Sequence, residues 1–310
     1  GSGIPSYCIA MNPESRVGFR TLAATALAMT AFAANSILCR LALGPPDIDA
    51  VGFTSLRLAS GALTLLAIAR LSGRRRTIRS AGTWASGAAL FAYAIMFSLA
   101  YLRLSVGTGA LILFALVQAT MIAWGLVRGE RPRAIQWAGL VLALGGFVYL
   151  VMPGLSAPSP LGAVMMAGAG LAWGVYSLRG RTTPDPIVTT TDNFVRSLPL
   201  ILVLAVIFHG DLQLSFRGVA LAVASGAVAS GMGYVIWYAA LRGLSATRAA
   251  SVQLSVPALA AAGGLVFLGE PVTLRLALSA LLILGGVGLT LVGKDEALSS
   301  SRRMKQGPGL

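Results

Sequence analysis

The chain has 310 residues, 56% of them hydrophobic and only 11% charged, and a mean hydropathy of +0.80. A soluble domain carries about 25% charged residues, so a water-soluble globule is excluded. The net charge of +14 lies in short clusters between apolar runs, which argues against a nucleic-acid-binding surface.

Uncharged runs recur between Arg20 and Arg40, Arg79 and Arg103, Arg103 and Arg128, Arg217 and Arg242, and Arg248 and Glu270. Each allows roughly 20 residues of helix, enough for a hydrocarbon core of about 30 Å. The strands of a membrane barrel would alternate polar and apolar residues; these runs do not. Taken in chain order, the predicted helices cover 18–42, 48–71, 81–102, 105–127, 133–152, 160–179, 187–209, 217–241, 246–268 and 272–293. Pro153-Gly154, Pro158 and Pro160 divide the uncharged stretch from Ala134 to Leu178 into the fifth and sixth, because proline cannot donate to a helix ladder. The second and seventh each carry one mid-span arginine, Arg57 and Arg196.

Cytoplasmic loops hold the excess of lysine and arginine. An N-terminus inside places Arg16, Arg20, Arg70, Arg74, Arg75, Arg76, Arg79, Arg128, Arg131, Arg133, Arg179, Arg181, Arg242 and Arg248 on that side, with Lys294, Arg302, Arg303 and Lys305 of the tail. Only Arg103, Arg217 and Arg275 fall in the outer loops. The expectation is a multi-pass bacterial inner-membrane protein with both termini cytoplasmic. Its basic loop 73–80 would lie against anionic lipid. Residues 1–15 are set aside as a tail: Gly1-Ser2-Gly3 reads as a vector remnant and Met11 as a native start. Cys8 and Cys39 offer no disulfide framework.

The sequence is written twice. A slide of 140 residues brings Leu104-Ser105 onto Leu244-Ser245, Gly129-Glu130 onto Gly269-Glu270, and Gly145-Gly146 onto Gly285-Gly286. A slide of 139 brings Arg40 onto Arg179 and Arg57 onto Arg196. Five helices per copy is odd, so the second copy enters from the opposite face. This predicts an inverted repeat, 16–152 and 153–293, followed by a cytoplasmic tail 294–310.

The segment 238–292 resembles the EamA repeat of the drug/metabolite transporter superfamily. Its marks are Leu244-Ser245, Pro257 midway through the ninth helix, the Gly269-Glu270-Pro271 corner and Gly285-Gly286. The first copy carries them more weakly: Val117 stands where the proline would be, and "GERP" (129–132) shifts the corner proline by one. Within the superfamily the chain looks most like the YddG-type exporters of aromatic and other amino acids. The resemblance implies ten helices around a central cavity and export of small metabolites or drugs by alternating access.

Polar groups in hydrocarbon are costly and become site candidates. They are Asn35, Ser36, Gln118, Ser251, Gln253 and Ser255, with the aromatic residues Tyr93, Trp173, Tyr176, Tyr234, Trp237 and Tyr238. An amphipathic solute needs apolar walls and a few fixed hydrogen-bonding groups, and these residues can supply both. Interhelical packing or hydrogen bonding is the plainer reading of each. Trp173 and Tyr176 share a face, as do Tyr234, Trp237 and Tyr238. Tyr101, Tyr149, Trp84 and Trp137 read as interfacial anchors. Arg57 and Arg196 read first as structural ties between helices, Asp192 being placed to pair with Arg196; the sharper alternative is a bidentate contact to a substrate carboxylate. Gly231, Gly233 and Pro257 are candidate flexing points, and helices one, six, eight and nine the expected lining set.

His209 stands at a helix end, HExxH is absent, and no acidic residue stands free at mid-span. An intramembrane enzyme would need such groups. No cofactor or metal is implied; the expected partners are a small-molecule substrate and lipid, with no nucleic acid. The readings carried forward are an exporter of small amphipathic metabolites, amino acids foremost, then a multidrug or nucleotide-sugar carrier, and from another class a membrane enzyme or receptor scaffold.

Overall fold

A computed structural model describes residues 18–44, 47–73, 82–129, 133–154, 157–180, 183–208, 213–241, 244 and 252–305, with side chains to residue 290. The helices are α1 (Phe19–Leu43), α2 (Ala50–Leu71), α3 (Trp84–Tyr101), α4 (Val106–Val127), α5 (Ala134–Val151), α6 (Pro160–Gly180), α7 (Pro186–Ile207), α8 (Phe216–Leu241), α9 (Ser255–Leu268) and α10 (Leu274–Lys305). Eight of them are long and apolar enough to cross a membrane, and α9 and the apolar part of α10, Leu274–Thr290, are shorter. His209, Ser251 and most of the basic loop residues lie outside the described residues.

Local chemistry sets the helix ends. Asp49, Thr83, Asp185 and Ser215 each accept a backbone N–H of the helix they precede, satisfying a donor the ladder cannot reach. Pro186 occupies the first turn of α7, where a missing N–H costs nothing. The repeat shows in the corners: Gly129 after α4 and Gly269 after α9 both have positive φ, 85° and 65°. That left-handed backbone is open to glycine without steric penalty.

The prediction of a continuous ninth helix through Pro257 does not match. The helical path breaks at Leu254, α9 starts at Ser255, and Pro257 sits in its first turn. The proline has no N–H to bond back to residue 253, so it starts this helix rather than bending its middle.

The outer surface is apolar, with Leu27, Leu63, Val141, Leu144, Val164, Val203 and Leu281 among the exposed large side chains, as lipid contact requires. Between halves, α3 packs on α6 as α8 packs on α1, α4 on α6 as α9 on α1, and α2 on α8 as α7 on α3; α2–α7, α4–α9 and α5–α10 meet as self-paired sets. Exchanging α1–α5 with α6–α10 leaves this pattern unchanged, as an inverted repeat demands.

The α5–α10 contact shows the symmetry in single residues. A Cβ at Gly286 would lie 2.6 Å from Ala143 N, and one at Gly146 would lie 3.1 Å from the Ile283 side chain. The 140-residue slide equates Gly146 with Gly286 and Ala143 with Ile283. Small residues allow this close approach where no hydrophobic effect drives helices together.

The connections α1–α2, α3–α4, α5–α6, α7–α8 and α9–α10 fall at one end of the bundle; α2–α3, α4–α5, α6–α7 and α8–α9 fall at the other. They are called below the arginine-poor and arginine-rich ends.

Candidate functional site

At the centre of the bundle, Arg57 of α2 is 2% exposed. Its Nη2 donates to the Tyr93 hydroxyl of α3 at 3.0 Å. The same hydroxyl accepts from Asn35 Nδ2 of α1 at 3.4 Å, and Asn35 Oδ1 accepts from the Ser225 hydroxyl of α8 at 2.5 Å. Four helices are thus joined by one polar chain. The guanidinium also lies over the rings of Tyr93 and Phe97, 5.2 and 5.0 Å from their centroids. Its Nη1 is buried with no partner among the described residues.

The energetics of this arginine are incomplete. An ion removed from water costs several kcal/mol even after relaxation. Cation–π contact returns about 0.5–2 kcal/mol, and a hydrogen bond involving a charged group about 1.5–3 kcal/mol. No carboxylate is recorded among its interaction partners in the described residues.

Aromatic rings wall this polar node. Trp173 of α6 is the hub: its ring lies 4.8 Å from Tyr93, 5.3 Å from Tyr176 and 5.5 Å from Tyr234, the last two stacked. Phe32 and Phe194 abut Tyr234 at 5.8 and 6.0 Å, and Trp237 reaches the group through Phe32 at 6.0 Å. Offset and tilted rings at these separations attract beyond their area burial.

Ser225 reaches Asn35 because α8 is not a regular α-helix. Residues Ala224–Met232, sequence ASGAVASGM, form a π-helical segment. Such insertions are rare and often mark functional positions. Gly226, next to Ser225, lets this segment touch α2 directly: a Cβ there would lie 2.1 Å from both the Arg57 carbonyl oxygen and Ser60 Oγ.

The arginine-poor end is tied shut at several points. Arg40 Nε pairs with Glu270 Oε1 at 3.3 Å, and Arg40 Nη1 donates to the Tyr101 carbonyl at 3.2 Å. Glu270 Oε2 accepts the Val106 N–H at 2.7 Å. Asp47 pairs with Arg217 at 3.0 Å, Asp49 accepts the Gln213 N–H at 3.0 Å, and Ile48 bridges Leu214 as antiparallel backbone. Arg275 reaches the Met152 carbonyl.

The arginine-rich end is also tied across the halves, Asp192 and Asn193 of α7 accepting the Gly82 and Thr83 N–H groups at 2.7 and 3.2 Å. A cleft of about 330 Å³ opens there between α3, α6 and α7, lined by Thr83, Ser86, Arg179, Thr183, Thr189 and Asn193 among others. Arg179 donates to Ser86 Oγ at 3.0 Å and Thr83 Oγ1 at 3.2 Å. The volume is at the low end of the range for small-molecule sites.

The structure therefore brings together Asn35, Arg57, Tyr93, Trp173, Tyr176 and Tyr234, with Trp237 at their edge. Tyr238 turns instead to Thr190, hydroxyl to hydroxyl at 3.2 Å. Gln118 is buried on α4, and Gln253 is half-buried just before the Leu254 break. Gly231 closes on Thr64 within the π segment and Gly233 on Ala31 just after it, at 3.2 and 3.1 Å from an added Cβ. Arg196 pairs with Asp192 at 3.2 Å and lies over the Trp84 ring at 5.5 Å; its side chain is 23% exposed. Tyr101, expected at the interface, is 0% exposed and stacks edge-on with Phe97 at 4.7 Å. It is a core residue beneath the closed end.

Sequence reasoning missed Ser225, Phe32, Phe97, Phe194 and Asn193. The phenylalanines blend into an apolar background. Ser225 lies on a π turn that a 3.6-residue period cannot register; the repeated Ser-Gly of "ASGAVASG" (224–231) is the only visible trace. The expected lining set also shifts. Helices α2, α3 and α7 contribute to the node, whereas α9 packs against α1 and α4.

An apolar-surfaced bundle of two exchangeable five-helix halves around a polar node walled by aromatic rings has the inverted-repeat architecture found in many secondary transporters. The profile of the EamA-like transporter family matches residues 160–292. An uncharacterized protein of Pseudomonas aeruginosa is 52% identical over 88% of this chain and 94% of its own. The threonine/homoserine exporter RhtA of Salmonella typhimurium is 27% identical over 81% of this chain and 85% of its own. A solved crystal structure, 20% identical, superposes with a TM-score of 0.64 over 88% of this chain and 99% of that one, a likeness of fold alone. The chain belongs to the EamA-like transporter family, within the drug/metabolite transporter superfamily, and is a membrane transporter.

Proposed function

We propose that the protein exports amino acids, aromatic ones among them, and similar small amphipathic metabolites across the bacterial inner membrane by alternating access. The observation that carries this reading is the central node. Asn35, Tyr93, Arg57 and Ser225 supply polar atoms in one place, and Trp173, Tyr176 and Tyr234 supply flat apolar walls. A small zwitterion with an apolar side chain needs both kinds of surface. The likeness to a threonine/homoserine exporter supports the same class of cargo.

Charge separates this reading from its rivals. A lipophilic cationic drug would meet the buried positive charge of Arg57, which has no carboxylate beside it among the described residues. A nucleotide sugar carries a diphosphate, and Arg57 is the only cation joined to the node among the described residues.

The positive-inside rule assigns the arginine-rich end to the cytoplasm. The small cleft then lies on the cytoplasmic side and the Arg40–Glu270 pair on the outer side. Gly231 and Gly233, in and just after the π-helical segment, are the proposed flexing points of α8, and Pro257, in the first turn of α9, is the proposed pivot at the start of that helix.

Growth tests check the cargo. Cells overproducing the protein should tolerate inhibitory concentrations of a phenylalanine or threonine analogue, and should release the amino acid faster into the medium. Unchanged tolerance to amino-acid analogues, with raised tolerance to ethidium, would transfer the assignment to multidrug efflux.

A further inference from the structure

We propose that the unpartnered Nη1 of Arg57 is the anchor for a substrate carboxylate, so that the transporter selects solutes bearing a free carboxylate and rejects their amides and esters. This rests on the reading of the protein as an amino-acid exporter and names the group on the cargo that the site recognises.

Three observations converge on it. Arg57 is 2% exposed, and its Nη1 is buried without a partner among the described residues while Nη2 is held by Tyr93. A guanidinium presents its two terminal nitrogens as a planar fork matched to the two oxygens of a carboxylate. One tine of the fork is fixed and the other is vacant. Cation–π contact with Tyr93 and Phe97 orients the group without neutralising it.

The second observation is the comparison within the chain. Arg196 is the repeat counterpart of Arg57, and it has its carboxylate, Asp192, one turn away. The residue one turn before Arg57 is Phe53. Arg196 is a structural tie, and its neighbour Asp192 also accepts the Gly82 N–H at 2.7 Å. The position in the first half keeps the cation without that internal anion.

The third is the Tyr93 hydroxyl, which receives hydrogen bonds from both Arg57 and Asn35. With two donors already on its oxygen, its proton is left to donate to an anion arriving beside Nη1. The cargo's side chain would then lie along the ring faces of Trp173 and Tyr234.

The test uses two ligands of nearly equal shape that differ in charge, 3-phenylpropionate and 3-phenylpropionamide, titrated calorimetrically into the purified full-length protein. The carboxylate should bind at least about ten-fold more tightly than the amide. Arg57→Gln should bring the ratio close to one, and Arg57→Lys should keep part of it. Thermal melting confirms that each variant is folded. Tyr93→Phe, which retains the cation, should weaken carboxylate binding several-fold and serves if the arginine variants do not fold. Equal binding of the two ligands by the wild type, or an unchanged ratio in Arg57→Gln, overturns the anchor. Carboxylate binding without flux of any amino acid would leave the anchor standing and overturn the amino-acid reading. Amino-acid flux that the amide inhibits as well as the carboxylate does would overturn the anchor alone.

Discussion

Gly226→Ala should reduce transport to about a tenth or less of the wild-type rate, through overpacking of a close helix contact. The added carbon would lie 2.1 Å from the Arg57 carbonyl oxygen and 2.8 Å from its carbonyl carbon. Neither is the end of a flexible side chain, so α8 must back away from α2. That movement draws Ser225 off Asn35 and loosens Gly61, which sits against Phe194 and the Gly226 carbonyl. Overpacking of this kind costs about 1–3 kcal/mol, and it falls on the helix pair that holds the node. Melting temperature should therefore drop together with transport. Gly145→Ala is the control, because a Cβ there meets nothing within 4 Å; it should leave both unchanged. A Gly226→Ala protein with wild-type rate and melting would show that the π segment does not set the node.

Glu270→Gln should release the arginine-poor end. The carboxylate joins three elements: it pairs with Arg40 at the end of α1, caps Val106 at the start of α4, and sits on the corner between α9 and α10. A negative group at a helix N-terminus is favoured by the exposed N–H groups and the helix dipole. The pair is largely sheltered, with side chains 28% and 15% exposed, so salt screens it weakly. Hydrogen bonds to charged groups are worth about 1.5–3 kcal/mol each. Glutamine keeps an acceptor and loses the charge, so a net loss of about 1–2 kcal/mol is expected, a factor of about 5–30 in an equilibrium. The readout is labelling of Ala110→Cys, one turn below Val106 and 0% exposed, by a membrane-impermeant maleimide in a background with Cys8→Ser and Cys39→Ser. Labelling should speed up by about that factor in Glu270→Gln. An unchanged rate would mean that the ion pair is not the tie that keeps this end closed.

The fold was legible because the bilayer constrains it so strongly. Apolar runs bounded by arginine mark most spans, and the matched Gly-Glu and Gly-Gly pairs expose the repeat. Those pairs have physical causes visible in the structure: left-handed corners at Gly129 and Gly269, and close helix approach at Gly146 and Gly286. The candidate node was legible in part. Asn35, Tyr93, Trp173, Tyr176 and Tyr234 stand out as polar or amphipathic groups in hydrocarbon. Arg57 also stands out, but the repeat groups it with Arg196 and so favours a structural role for both. The sequence sets Asp192 one turn before Arg196 and Phe53 one turn before Arg57; the structure adds that Arg57 Nη1 is buried without a partner among the described residues. Tyr101 has an anchor's sequence position but is turned inward against Phe97. Ser225 escapes notice because a π turn rotates it out of the helical register by which faces are read.

Counterflow in liposomes tests the central claim most directly. Vesicles containing the purified protein and loaded with unlabelled threonine, phenylalanine or methionine should accumulate the labelled amino acid from outside. Uptake should saturate with concentration and be absent from protein-free vesicles. No saturable flux of any of the three, from protein shown to be folded and inserted, would contradict the account.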